Sequence, residues 1–252
     1  MKRVVVKVGT GVLTSEDGTL SAEALSRLVA AIADLKEAGL GVVLVSSGAV
    51  GAGISALGLD QYPEDVKSRQ AAAAVGQCRL MHAYQNLFRG FEQNVAQLLL
   101  TASDLASEKR SQYIQDTFER LLEESSIIPI INENDSVAVE ELKFGDNDML
   151  SARVADLIKA DLLVLLTSVD GVKDEGGELI ASAASVAEVV KHVDGSKGRF
   201  SIGGMATKLE AVQYALDHGV ETIIANGDAP EGLKDFVKGE GVGTRFRIEK
   251  NH

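Results

Sequence analysis

Short runs of β-branched and aliphatic residues recur along the chain without any alternation of polar and apolar positions. Val42-Val43-Leu44-Val45, Ile127-Ile128-Pro129-Ile130-Ile131 and Leu162-Leu163-Val164-Leu165-Leu166 are the clearest. A strand that is apolar at every position has no solvent face, so its sheet must be covered on both sides. The stretches between the runs carry helical periodicity, which is the pattern of parallel strands joined by crossover helices. Strands are expected at residues 3–8, 42–46, 95–101, 127–132, 162–167 and 221–225. Helices are expected at 21–38, 64–88, 111–124, 148–159 and 205–218. In the first of these, Ser21 is the N-cap, Leu25, Leu28, Val29 and Ile32 form one face, and Gly39 is the stop. The fold class is therefore α/β, a three-layer sandwich around an open, mainly parallel sheet. With 252 residues, three prolines and no repeat or low-complexity tract, nothing marks a linker, and one domain over residues 1–252 is expected. Residues 173–177, KDEGG, form the most loop-like interior stretch.

Charge excludes some partners. Twenty-five Lys and Arg against thirty-seven Asp and Glu leave a net charge of -12, whose field repels nucleic-acid phosphates and anionic membrane surfaces. The longest apolar runs fall far short of the roughly 20 residues of a membrane helix. One cysteine, Cys78, allows no internal disulfide, and the start MKRVVVKVG lacks a secretory signal, so a cytoplasmic setting is expected. Cys78, in AAAAVGQCRLM, is expected to be a packed thiol, without a partner base that would make it a nucleophile.

Ligands of parallel α/β sheets bind beyond the carboxyl ends of the strands, which directs attention to five places. Lys7 and the turn Gly9-Thr10-Gly11 follow the first strand, placing a cation beside N–H groups that can approach an anion. Alone, the motif reads more readily as a strand-ending turn, and it lacks the third glycine of a dinucleotide fingerprint. Ser46-Ser47-Gly48-Ala49-Val50-Gly51-Ala52-Gly53 follows the second strand and suits close ligand approach or tight packing equally. Asn132-Glu133-Asn134-Asp135 ends the fourth strand, and Gly145-Asp146-Asn147-Asp148 opens a helix. These polar clusters suit an amino group, or Mg²⁺ held through water. A helix cap explains one such residue but not three in a row. Thr167-Ser168 before Asp170-Gly171 is ordinary turn chemistry when taken alone. Finally, Gly203-Gly204-Met205-Ala206-Thr207-Lys208 runs into a helix, pairing free N–H groups with a lysine one turn in, an arrangement that attracts phosphate. It is not a Walker loop, and a solvent-facing lysine competes equally. The four histidines are scattered without metal-ligand spacing, and no serine-hydrolase elbow is present.

Read in order, VVVKVGT, VSSGAVGAG, AAVGQ, LLLT, PIINENDSVA, FGDND, LLTSVDGV and GGMATK resemble the amino acid kinase family over essentially the whole chain, and within it the branch that acts on L-glutamate. The resemblance implies an enzyme that uses ATP with Mg²⁺ to phosphorylate the γ-carboxylate of glutamate, the first step of proline synthesis. It implies Lys7, Lys208 and Asp148 as catalytic residues, with Asp148 orienting both lysines. It implies substrate contacts from Ser47, Gly48, Asn132, Asp135, Asp146 and Asn147. Nucleotide contacts are implied for Lys7, Gly9, Thr10, Thr167, Ser168 and the segment Ile202, Gly203, Gly204, Met205, Ala206, Thr207 and Lys208. A homo-oligomer inhibited by proline is implied as well. The chain departs from the family pattern in Ser201-Ile202 of the nucleotide loop and in the short stretch after Asp170-Gly171. The C-terminal domain that many relatives carry is not expected in this chain. Two alternatives stay open: a family member acting on another small acid, such as aspartate or N-acetylglutamate, and a catalytically silent amino-acid or nucleotide sensor.

Overall fold

The computed structural model describes residues 2–15, 19–59, 61–138, 147–193 and 204–248. In chain order the elements are β1 (Arg3–Val8), α1 (Thr10–Leu13), α2 (Ala22–Glu37), β2 (Gly41–Ser46), α3 (Ala49–Ile54), α4 (Val66–Arg89), β3 (Asn94–Leu100), α5 (Ala102–Ala106), α6 (Glu108–Leu122), β4 (Ile127–Glu133), α7 (Asp148–Leu157), β5 (Leu162–Thr167), β6 (Ser182–Ala183), α8 (Val186–Val193), α9 (Gly204–Asp217), β7 (Glu221–Asn226), α10 (Leu233–Lys238) and β8 (Thr244–Phe246). Local chemistry sets several boundaries. Ser21 accepts a hydrogen bond from the Ala24 amide to start α2, Asp65 does the same for Ser68 at α4, and Thr101 with Asp104 forms a reciprocal capping box at α5.

The strands form one sheet in the order β3-β4-β2-β1-β5-β7-β8-β6, parallel except where β8 runs antiparallel to β7. Its two faces build separate cores. Val4, Val6, Val8, Leu44 and Ile130 pack with Leu28, Ile32, Leu80 and Phe236 from α2, α4 and α10. Val5, Val45, Ile131 and Leu165 pack with Phe118, Leu150, Val189 and Val212 from α6, α7, α8 and α9. This is the three-layer arrangement the unalternating strands require. β1 lies between β2 and β5, so the chain leaves it in opposite directions on its two sides and a crevice opens at its carboxyl end.

One expectation changes. Cys78 is exposed rather than packed. The buried face of α4 carries Ala72, Ala73, Gly76, Gln77, Leu80 and Tyr84, and one further residue of rotation turns position 78 to solvent. The KDEGG stretch is a loop, as expected, closed by local contacts: Lys173 bridges Leu179, and the Asp174 side chain accepts from the Glu178 amide at 2.9 Å. The glycine-rich stretch after β2 serves packing as well as access. A Cβ on Gly53 would stand 2.0 Å from the Ala72 carbonyl oxygen, and one on Gly76 would stand 1.8 Å from that of Ala49, so α3 and α4 cross at backbone contact.

Candidate active site

Strand parity decides where the polar side chains at the sheet's carboxyl edge point. Lys7 shares the parity of Val5 and enters the layer of α7 and α9. It is fully buried, and its Nζ lies 2.8 Å from Oδ1 of Asp148, the first residue of α7. The other carboxylate oxygen of Asp148 accepts from Lys208 Nζ of α9 at 3.0 Å. Lys208 also donates to the Gly204 carbonyl at 3.2 Å. Asp148 is 1% exposed, so the three side chains form a buried bridge of one carboxylate between two ammonium groups.

Two cavities share Thr10; Lys208 of the bridge lines the larger, and Asn147, the neighbour of Asp148, lines the smaller. The larger, about 500 Å³, is lined by Gly9, Thr10 and Gly11 after β1, by Thr167, Ser168, Asp170 and Lys173 after β5, and by Gly204, Met205 and Lys208 of α9. Positions 204, 205 and 208 fall on one face of the helix. Ala206 and Thr207 do not line the cavity: Ala206 is exposed, and the Thr207 hydroxyl donates to the Gly204 carbonyl at 3.2 Å. Ile202 and Gly203 lie outside the described residues, as does Asp146.

The smaller cavity, about 120 Å³, is lined by Ser47, Gly48, Asn132, Asp135 and Asn147, and also by Tyr62 and Glu133. Asn147 occupies the N-cap place of α7 with φ 43° and makes no capping bond with its side chain. Its amide instead donates to the Ser46 carbonyl at 2.8 Å, to Asn132 Oδ1 at 2.8 Å and, more weakly, to Ser47 Oγ at 3.2 Å. Asn132 in turn donates to Gln77 Oε1 at 2.8 Å and accepts from the Glu133 amide. The Ser46 hydroxyl pairs with the Tyr84 hydroxyl at 2.9 Å. Burial pushes the Tyr84 phenol far up, against the opposing effect of Ser46, so it stays a neutral partner. A continuous network thus ties α4 to the ends of β2 and β4 and fixes the cavity wall.

Sequence reasoning named Glu133 only within the polar cluster that ends the fourth strand, and did not single out Tyr62, Gln77 or Tyr84. Gln77 and Tyr84 did leave a signal: each is a polar group at a core position of an otherwise apolar helix face. Tyr62 left none. Burial and the nearby Asp135 charge raise its phenol, with Arg69 acting the other way.

The cavity with N–H groups, hydroxyls and a lysine suits a phosphate-bearing ligand. The small polar one, with carboxylate, amide and hydroxyl groups, suits a zwitterion. The comparisons agree in kind. A family model described as the amino acid kinase family matches residues 2–226. The chain is 47% identical to a glutamate 5-kinase of Clostridium acetobutylicum over 258 residues, covering 100% of this chain and 96% of that one. It is also 47% identical to one of Citrifermentans bemidjiense, covering 98% of this chain and 68% of the relative. Among solved structures, carbamate kinase from Giardia lamblia bound to AMP-PNP superposes with a TM-score of 0.70 at 15% identity, covering 98% and 99% of the two chains. UMP kinase from Ureaplasma parvum gives 0.64 at 15% identity, with the same coverage. These two likenesses speak for the fold alone.

Proposed function

The chain belongs to the amino acid kinase family, and from that premise we propose that it transfers the γ-phosphoryl group of ATP to the γ-carboxylate of L-glutamate. The products are ADP and L-glutamyl 5-phosphate, and the reaction opens proline biosynthesis. The observation that carries the reading is the buried Lys7–Asp148–Lys208 bridge, whose Lys208 lines the larger of two cavities that share Thr10. The curated relatives supply the identity of the acceptor.

The chemistry asks little in the way of acid–base catalysis. A γ-carboxylate titrates at about 4.3 and is already an anion at neutral pH, so no base is needed to create the nucleophile. A carboxylate oxygen forms a bond to the γ-phosphorus as the bond to the bridging β–γ oxygen breaks, and the electron pair leaves with ADP. No proton moves in that step. The obstacle is bringing two anions together and stabilising charge on the equatorial oxygens, which calls for positioning and fixed positive charge. We assign that task to Lys7 and Lys208, aimed by the single carboxylate of Asp148. The Gly9–Gly11 turn and the start of α9 offer N–H groups to the phosphates. In the smaller cavity, Asp135 is assigned to the substrate ammonium and the Ser47-Gly48 region to its α-carboxylate, while Asn147 orients without adding charge.

Mg²⁺ enters this scheme with the nucleotide. Among the described residues, no group of three His, Cys, Asp or Glu side chains is placed to hold an ion. Asp148 is committed to both lysines. Bound with the nucleotide, the ion would supply further positive charge at the phosphates. The test is ADP release by the purified chain with glutamate, aspartate or N-acetylglutamate as acceptor, with hydroxylamine added to trap an acyl phosphate as its hydroxamate. Glutamate-dependent release with γ-hydroxamate formation is expected. Equal release with aspartate, or none with any acceptor, would reject the proposal.

A further inference from the structure

The larger cavity has two chemically different ends. At one end stand Gly9, Gly204 and Lys208, beside the buried bridge. At the other, after β5, a carboxylate and an ammonium face each other: Asp170 and Lys173, 3.4 Å apart and both about half exposed. A phosphate next to the Asp170 carboxylate would meet like charge, so the triphosphate belongs at the lysine end. What then reaches Asp170 has to offer hydrogen-bond donors.

We propose that Asp170, oriented by Asn226 and Lys173, binds the ribose hydroxyls of the nucleotide and makes the enzyme favour ribonucleotides over 2′-deoxyribonucleotides as phosphoryl donors. The inference rests on the reading of this cavity as the nucleotide site. The carboxylate is held in place before any ligand arrives. Asn226, at the end of β7, donates its amide to Asp170 Oδ1 at 3.0 Å, and its own Oδ1 is fixed by the Asp228 amide at 2.9 Å. The backbone carrying Asp170 is anchored as well. Gly171 has φ 148°, and a Cβ there would stand 2.6 Å from Thr244 Oγ1. The next amide, of Val172, donates to that same hydroxyl at 2.8 Å.

Asn226 and Lys173 together hold the Asp170 carboxyl below its ordinary range, the Asn226 hydrogen bond first, so it is an acceptor at neutral pH. Each carboxylate oxygen has room for a second donor beyond its present partner. Position agrees with the assignment. β1, β5 and β7 are neighbours, and two strand spacings put the Asn226 end roughly 10 Å along the sheet edge from the Lys7 end. That leaves room for the phosphate chain between them.

The test compares kcat/KM for ATP, 2′-deoxy-ATP and ITP in the wild type, Asp170→Ala, Asp170→Asn and Lys173→Met. Because a hydrogen bond to a charged group is at stake, wild type should favour ATP over 2′-deoxy-ATP about tenfold or more. In Asp170→Ala that ratio should fall towards one. Asp170→Asn and Lys173→Met should give intermediate ratios. An unaltered ratio in Asp170→Ala, or no ribose preference in the wild type, overturns the proposal. So does a change confined to ATP against ITP, since that would place Asp170 at the base. Were the wild type to release no ADP with glutamate, the functional reading would fail separately. Calorimetric binding of ADP and 2′-deoxy-ADP to the same variants would still decide the ribose claim.

Discussion

Asp148→Asn removes one charge and almost no volume, and the structure gives the size of its effect. In the folded protein, Lys7 is fully buried and Lys208 nearly so, and their ammonium groups lie 2.8 and 3.0 Å from the two oxygens of Asp148. With an amide in place of the carboxylate, two buried cations lose the anion between them and repel each other. Orphaning a buried charge costs about 3–5 kcal/mol, a large part of the roughly 5–15 kcal/mol that holds a typical domain together. For a protein of this size, that loss corresponds to a fall in Tm of roughly 6–20 °C. Lys7→Met should cost less, because Asp148 and Lys208 remain as a balanced pair. Nucleotide phosphates can replace the missing negative charge, so ADP with Mg²⁺ should raise the Tm of Asp148→Asn more than that of the wild type. Thermal unfolding with and without ADP, alongside glutamate-dependent ADP release, measures each quantity. A variant within about 1 kcal/mol of wild type and still active would refute the reasoning, because the lysines would then be held by something other than Asp148.

Lys208→Ala should lower turnover by orders of magnitude while the fold survives; near-wild-type turnover at saturating ATP would make Lys208 a structural residue. Ser47→Ala and Asp135→Ala should raise KM for glutamate far more than KM for ATP, with turnover at saturation less affected, as expected for groups that bind ground and transition states alike. A selective loss of ATP affinity would move both residues to the other cavity. At the far end of β1, the Arg3 guanidinium holds the Glu119 carboxyl below its usual 4.5 through a hydrogen bond. A depressed carboxylate contributes stability above its unfolded value and loses it as pH falls through the folded one. Wild type and Glu119→Gln should therefore differ slightly in urea midpoint at pH 7, the pair being partly exposed, and converge below pH 4.5. A constant difference across that range would show that the ion pair is not its source.

The sheet was legible because its strands are long and apolar throughout: two of the six expected ranges, 3–8 and 162–167, match β1 and β5 to the residue, three differ by one residue at one end, and 95–101 is shifted by one residue from β3. The short elements were not legible. α1, α3, α5 and α10 span four to six residues, too few for a periodic pattern to develop. β6 and β8, with two and three residues, exist through pairing with distant partners that no local window contains. The lysines and the polar clusters could be listed from the sequence, because charge and amide groups after apolar strands are conspicuous. That Ala206 and Thr207 turn away from the larger cavity follows from helical phase. That Gln77, Tyr84 and Tyr62 stand behind or beside the smaller one depends on how α4 and the loop before it pack.

What the sequence leaves implicit is the parity that assembles the site. In β1, Val4, Val6 and Val8 face α2 and α4, whereas Val5 and Lys7 face α7 and α9. In β2 and β4, Ser46 and Asn132 share the parity of Leu44 and Ile130, and they meet Tyr84 and Gln77 of α4. The cationic bridge thus lies on one face of the sheet and the amide network on the other. They come together just beyond the carboxyl edge, where Asn147 and Asp148, adjacent in sequence, join the network and the bridge respectively. A one-residue slip of β1 would drive Lys7 into the apolar layer of α2 and α4 and break the bridge. The all-apolar strands hide this phase, since Val suits either face. Lys7 is the residue that reveals it, because a buried ammonium has a place only where Asp148 can meet it.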